Sequence, residues 1–148
     1  MNIPVVKKWI EALESGEYKQ GQQSLKNSSL EYCCLGVLTD IYIKECNKGE
    51  WVDCKYQYKF KEGEIEEGIQ LTPEICEWVG IKSTSGYCGI TEEQMKKMYP
   101  KREIKLEVIP NGEISLMSLN DGPFEDHGPL TFKQIARVLR MKIKEYTK

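Results

Sequence analysis

An α+β fold, with helices at both ends packed against a short antiparallel β-sheet, is predicted by three features of the sequence. Apolar residues recur at helical spacing near each terminus, and residues 104–119 alternate apolar and polar side chains on either side of a Pro-Asn-Gly turn. The length of 148 residues, 40% hydrophobic and 30% charged, suits a single compact domain covering 1–148.

From Pro4 to Ser15, Val5, Val6, Trp9, Ala12 and Leu13 share one face of a helix that Gly16 ends. Residues 16–29, GEYKQGQQSLKNSS, read as a polar loop with Leu25 as its apolar anchor. Loops on a packed scaffold are where binding groups concentrate, and this one carries Tyr18, Gln20, Gln22 and Gln23. Cys33 to Lys44 is a second, central helix, whose Cys34, Leu35, Val37, Leu38, Ile41 and Tyr42 span more than half its circumference. The remaining strip sets Cys33, Gly36 and Asp40 in a row. A glycine costs about 1 kcal/mol inside a helix, so it marks a close approach, by a packed helix or loop or by the edge of a ligand.

Glu50 to Lys61 alternates as a strand, and residues 62–68 form an acidic turn. Thr72 and Pro73 open a short helix that runs to Trp78 or Val79 and stops at Gly80. Residues 83–89 lack the order of a phosphate-binding loop, and Thr91 caps a helical stretch from Glu92 to Met98. Ile104 to Val108, the turn Pro110-Asn111-Gly112 and Glu113 to Leu119 make the expected hairpin. Residues 120–129 form a second polar loop.

Thr131 with Gln134 makes a capping box, opening a helix whose Phe132, Ile135, Ala136, Leu139, Ile143 and Tyr146 lie on one face. Beside them runs a basic stripe of Lys133, Arg137, Arg140, Lys144 and Lys148. From Thr131 onward six basic residues stand against one acidic residue, so this stretch carries +5 and the preceding 130 residues −7. The stripe is either a solvated flank favoured near a helix C-terminus or a surface for phosphate or an acidic partner.

The net charge of −2 argues against a long nucleic acid as partner. No apolar run is long enough to cross a bilayer, and the opening residues lack the pattern of an export signal, which points to the cytoplasm. The six cysteines are therefore expected as reduced, mostly buried filler. One histidine, His127, and the absence of any Cys-x-x-Cys pair leave no metal site, and no cofactor is expected. Cys33 or Cys34 with His127 is the one nucleophile and base pairing the residue types allow. Asp121 and Asp126, in a Gly/Pro-rich loop, suit turn hydrogen bonds better than acid-base chemistry.

The segment from Trp9 to Gly21 (WIEALESGEYKQG), then Cys33-Cys-Leu-Gly-Val-Leu-Thr-Asp40, resembles a family of small proteins common in bacteriophage and prophage genomes. Trp78-Val-Gly80, Leu119-Asn-Asp121 and Phe132-Lys-Gln-Ile-Ala136 are similar to its later parts. The resemblance implies viral origin and the host bacterial cytoplasm, and attaches no reaction. By analogy with phage proteins of this size, it suggests a non-catalytic, oligomeric sponge for a nucleotide immune signal, such as a cyclic ADP-ribose isomer or cyclic oligonucleotide.

In that reading Tyr18 stacks on the base, Gln20 reads its edge, Gln22 is a further polar ligand-binding group of the same loop, Asn120 and Asp121 hold ribose hydroxyls, and Arg137 with Arg140 neutralises phosphate. Two rivals stand beside it. One is a protein-interaction module that inhibits a host protein through the basic stripe and the Trp51 strand, and the other is a small cysteine-dependent enzyme.

Overall fold

The computed structural model describes residues 1–58 and 68–146. The end of the expected 50–61 strand, most of the acidic turn and Lys148 of the basic stripe lie outside those residues. In chain order the elements are α1 (Ile3–Glu14), β1 (Lys19–Gln20), β2 (Glu31–Tyr32), α2 (Cys34–Cys46), β3 (Gly49–Val52), β4 (Lys55–Tyr58), α3 (Pro73–Val79) and α4 (Glu92–Met98). Two 3-10 turns (Leu106–Val108 and Pro110–Gly112) then lead to α5 (Leu116–Asp121) and α6 (Phe132–Tyr146). The fold is α+β, with helices at both ends.

The terminal helices pack on each other because their apolar stripes match. Val5, Val6, Trp9, Ile10 and Leu13 of α1 are buried, and α1 lies against α6, α2 and α3. Fully buried Trp9 donates its indole N–H to the Cys34 carbonyl at 2.9 Å, which ties α1 to the start of α2. The Thr131/Gln134 capping box opens α6 as expected: Thr131 N–H donates to Gln134 Oε1, and Gln134 N–H to Thr131 Oγ1. At its far end the expected face shifts. Tyr146 is 58% exposed, whereas Lys142 is 5% exposed and donates to the Gly89 carbonyl and to Glu145.

Helix α2 is buried on nearly all sides down to Asp40. Cys33 is its N-cap, with the Gly36 N–H directed at its sulfur. Gly36 settles what approaches the helix. A Cβ there would lie 1.8 Å from the Leu25 carbonyl oxygen, so the neighbour is the backbone of the 16–30 segment.

Two expectations about strands are overturned. Residues 50–58 are not one continuous strand: β3 and β4 pair antiparallel, with Trp51 opposite Tyr56. Asp53 and Cys54 turn the chain, both at positive φ (49° and 65°), as a two-residue hairpin loop demands. The 104–119 hairpin does not form. Ile104 makes a single bridge to Phe124 and Glu113 one to Thr91, while residues 116–121 are helical. The Ser115 side chain caps that helix by accepting from Ser118 N–H, and Leu116, Leu119 and Asn120 fall at i, i+3 and i+4 on its buried side. On the supposed outgoing strand Ile104 is buried but Leu106 is 81% exposed, so the alternating apolar positions do not share one buried face. The remaining pair, β1 and β2, is parallel and two residues long.

Candidate functional site

The two polar loops do meet. Gln20 Nε2 donates to Asn120 Oδ1 at 3.1 Å and to the Leu130 carbonyl at 2.8 Å, while its Oε1 accepts the Phe132 N–H at 3.1 Å. Gln20 thereby serves the first turn of α6, where backbone donors have no helical partner. Asn120, fully buried, also accepts from Cys34 N–H at 3.0 Å and donates to the Gly21 carbonyl at 2.8 Å. Asp121 Oδ1 accepts from Gln23 N–H at 2.9 Å and from Asn120 Nδ2 at 3.3 Å. Three of the expected ligand-binding residues are thus brought together, and their polar atoms are engaged with one another and with backbone. This junction locks the N-terminal loop to the starts of α2 and α6.

Tyr18 and Asp40 form a second meeting point. Asp40 accepts from the Tyr18 hydroxyl at 2.5 Å and the Trp51 indole N–H at 3.0 Å, and pairs with the Lys44 ammonium at 2.9 Å. Burial opposes the charge on Asp40, but the hydrogen bonds from Lys44, Tyr18 and Trp51 overcome it and hold the carboxyl below its usual range. Burial, followed by the bond to Asp40, pushes the Tyr18 phenol up to about 12. Sequence reasoning set Cys33, Gly36 and Asp40 in a row but missed Tyr32 and the Asp40 to Trp51 bond. These residues come from separate elements, and no local spacing announces them.

The three arginines are distributed differently than expected. Arg140 makes a forked ion pair with Glu14 across α1 and α6. Arg102 forks onto Asp126 and lies over the Phe124 ring at 3.8 Å. Arg137 is exposed and, among the described residues, makes no hydrogen bond or ion pair; Lys133 beside it is likewise exposed, and so is Gln22 in the first loop.

Neither neighbouring thiol is suited to act as a nucleophile. Burial pushes Cys33 up to about 11 and holds Cys34 well above the ordinary thiol range, and Cys34 donates to the Leu116 carbonyl. His127 lies exposed on the 122–130 loop and is bonded to neither. The described cysteines are free, and the described residues contain no cluster of three or more His, Cys, Asp or Glu that could hold a metal.

Polar groups without internal partners gather elsewhere. A cavity of about 550 Å³ lies between the 80–89 segment and the end of α6, lined among others by Lys82, Ser83, Tyr87, Cys88, Glu113 and Tyr146. Among the described residues, the side chains of Lys82, Tyr87, Glu113 and Tyr146 make no hydrogen bond or ion pair within the chain. Gly80 and Gly89, both at positive φ, contribute backbone to the wall. Burial pushes the Cys88 thiol up to about 12, against the opposing field of Lys142. The volume falls in the range of small-molecule sites, and the lining combines two phenol rings, a cation, a hydroxyl and a carboxylate.

A sequence profile of one protein family matches residues 1–143. The chain belongs to DUF8296, a domain of unknown function. No curated protein and no solved structure matches it. The DUF8296 match takes in the Gln20 to Asn120 junction, the Asp40 cluster and every cavity residue named above except Tyr146, which lies just beyond it. No helix among the described residues of this DUF8296 protein is long and apolar enough to cross a membrane.

Proposed function

We propose that this DUF8296 protein is a phage-encoded binding protein of the host cytoplasm that holds a small nucleotide-derived immune signal without catalysis. One observation carries the reading: the cavity beside the 80–89 segment collects Lys82, Tyr87, Glu113 and Tyr146, whose side chains make no hydrogen bond or ion pair among the described residues. Groups already bonded inside the protein gain little from a ligand, whereas uncommitted groups around one concavity do. The site therefore moves from Tyr18, Gln20, Asn120 and Asp121 to this cavity. Tyr87 and Tyr146 offer faces for a base, Lys82 a charge for phosphate, and Glu113 a partner for ribose hydroxyls.

A thermal-shift and native mass spectrometry screen tests it, using cyclic ADP-ribose isomers, cyclic di- and trinucleotides, NAD and ADP-ribose. A ligand at about 100 times its dissociation constant should stabilise the fold by roughly 2.7 kcal/mol, a shift of several degrees. The bound mass should equal that of the intact ligand, in keeping with sequestration, on a homo-oligomer whose subunit count the same spectrum gives. A flat response across the panel removes the reading.

Exposed Arg137 and Lys133 favour a second reading, in which the outer face of α6 docks an acidic surface of a host protein and inhibits it. It predicts capture that weakens steeply with salt and disappears in Arg137→Glu, with no response to nucleotides.

A further inference from the structure

The rings around Asp40 form a corner that already holds an ammonium group. Tyr32 and Trp51 meet with centroids 6.1 Å apart at 68°, and Tyr18 stands edge-on to Tyr32 at 5.1 Å and 90°. Lys26 Nζ lies 5.5 Å from the Tyr32 centroid and 5.4 Å from that of Trp51, so both rings attract the same cation. The Trp51 indole N–H, together with the Tyr18 hydroxyl, donates to the Asp40 carboxylate. Donation to an anion leaves the Trp51 ring more electron-rich and its face more attractive to positive charge.

The backbone beneath Lys26 is fixed. Leu25 N–H donates to the Gly68 carbonyl, Cys33 N–H to the Leu25 carbonyl, and Lys26 bridges Tyr32. The Lys26 side chain itself is not fixed in this way: among the described residues it makes no ion pair, and the rings hold its ammonium. Rotation of one flexible side chain into solvent would vacate the corner without disturbing either neighbouring strand. Lys44 keeps its ion pair with Asp40 and lies over the Tyr18 ring at 5.5 Å, so it does not compete for the same faces.

We propose that the Tyr32 and Trp51 corner is an exchangeable seat for a small organic cation, with Lys26 as its resident occupant. The ligand class is an ammonium or guanidinium compound. A neutral molecule of the same shape gains the contact area but not the attraction of the ring faces for charge. The seat is separate from the cavity beside residues 80–89 and does not depend on a nucleotide binding there.

The test titrates tetramethylammonium chloride, and in parallel uncharged neopentyl alcohol, at constant ionic strength, following the Trp51 indole N–H in ¹⁵N NMR spectra. Wild type, Lys26→Ala and Lys26→Gln are compared, with Trp51→Leu used to assign the indole signal. The seat predicts a Trp51 response to tetramethylammonium whose half-saturation falls about five- to tenfold when Lys26 is replaced. Neopentyl alcohol should give no comparable response in any of the three proteins. Either an equal response to both probes or no response in folded Lys26→Ala or Lys26→Gln overturns the proposal.

Discussion

Gln20 and Asn120, 100 residues apart in the chain, share a hydrogen bond of 3.1 Å that closes the N-terminal loop onto the loop before α6. Around it the Cys34 and Phe132 N–H groups and the Gly21 and Leu130 carbonyls all find side-chain partners. Residues that look in sequence like a ligand-binding pair are therefore the clasp between two helix starts. Asn120→Ala leaves buried donors and acceptors unpaired and should cost about 2–4 kcal/mol in urea unfolding. A ligand-binding role alone would leave the unfolding midpoint unchanged.

Gly36 gives a test in which the sign decides. Glycine to alanine in an open helix interior stabilises by about 1 kcal/mol. Here the added carbon would sit 1.8 Å from the Leu25 carbonyl oxygen, which is backbone and cannot rotate aside. Gly36→Ala should destabilise by about 3 kcal/mol or more, as read by thermal and denaturant unfolding. A gain in stability would show that the 16–30 segment does not lie across α2.

Thiol chemistry should divide along burial. Cys33 and Cys34 are buried and strongly disposed to stay protonated, whereas Cys54 sits in the β3–β4 turn and is only half-buried. Iodoacetamide at pH 7.5, with peptide mapping by mass spectrometry, should label Cys54 first and leave Cys33 and Cys34 unmodified until the protein unfolds. Rapid labelling of Cys33 or Cys34 would revive the cysteine-dependent enzyme.

The Asp40 cluster makes stability depend on pH at both ends. The folded-state pKa of Asp40 is depressed, so its contribution is present above the ordinary carboxylate range and is lost as pH falls through the folded value. Tyr18 is raised to about 12, so its contribution is complete below the ordinary tyrosine value near 10 and disappears between there and about 12. Unfolding free energy followed from pH 2 to 12 should show both declines in wild type, and Asp40→Asn should flatten them. Parallel curves for the two proteins would mean that the carboxylate is not the hub.

How much of this could be read beforehand depends on how local each signal is. The terminal helices, α3 and α4 were legible because their caps and periodicity lie within a few residues, as at Thr131 with Gln134 or Pro73 with Gly80. The expected 104–119 hairpin failed because short alternation and a short helical stripe look alike until Ser115 is seen to cap Ser118. The turn at Asp53 and Cys54 contains no glycine, so nothing in sequence separates β3 from β4. Among the site residues, Gln20, Asn120 and Asp121 stand out in sequence as polar loop groups, but neither the meeting of the two loops nor its use as a clasp is written there. Glu14 claims Arg140, and Asn120 claims Gln20, from more than ninety residues away. Lys82, Tyr87, Glu113 and Tyr146 do not stand out in sequence because their shared property, polar ends around one cavity with no partner among the described residues, exists only in three dimensions.

The most direct test of the relocated site is a calorimetric titration of the nucleotide panel against three proteins. Wild type is compared with a Lys82→Glu/Tyr87→Ala double variant at the cavity and with a Gln22→Ala/Arg137→Glu double variant at exposed residues first expected to bind. The account predicts that affinity falls at least about tenfold in the first variant and is unchanged in the second. Full affinity in the cavity variant with loss in the Gln22/Arg137 variant would contradict it.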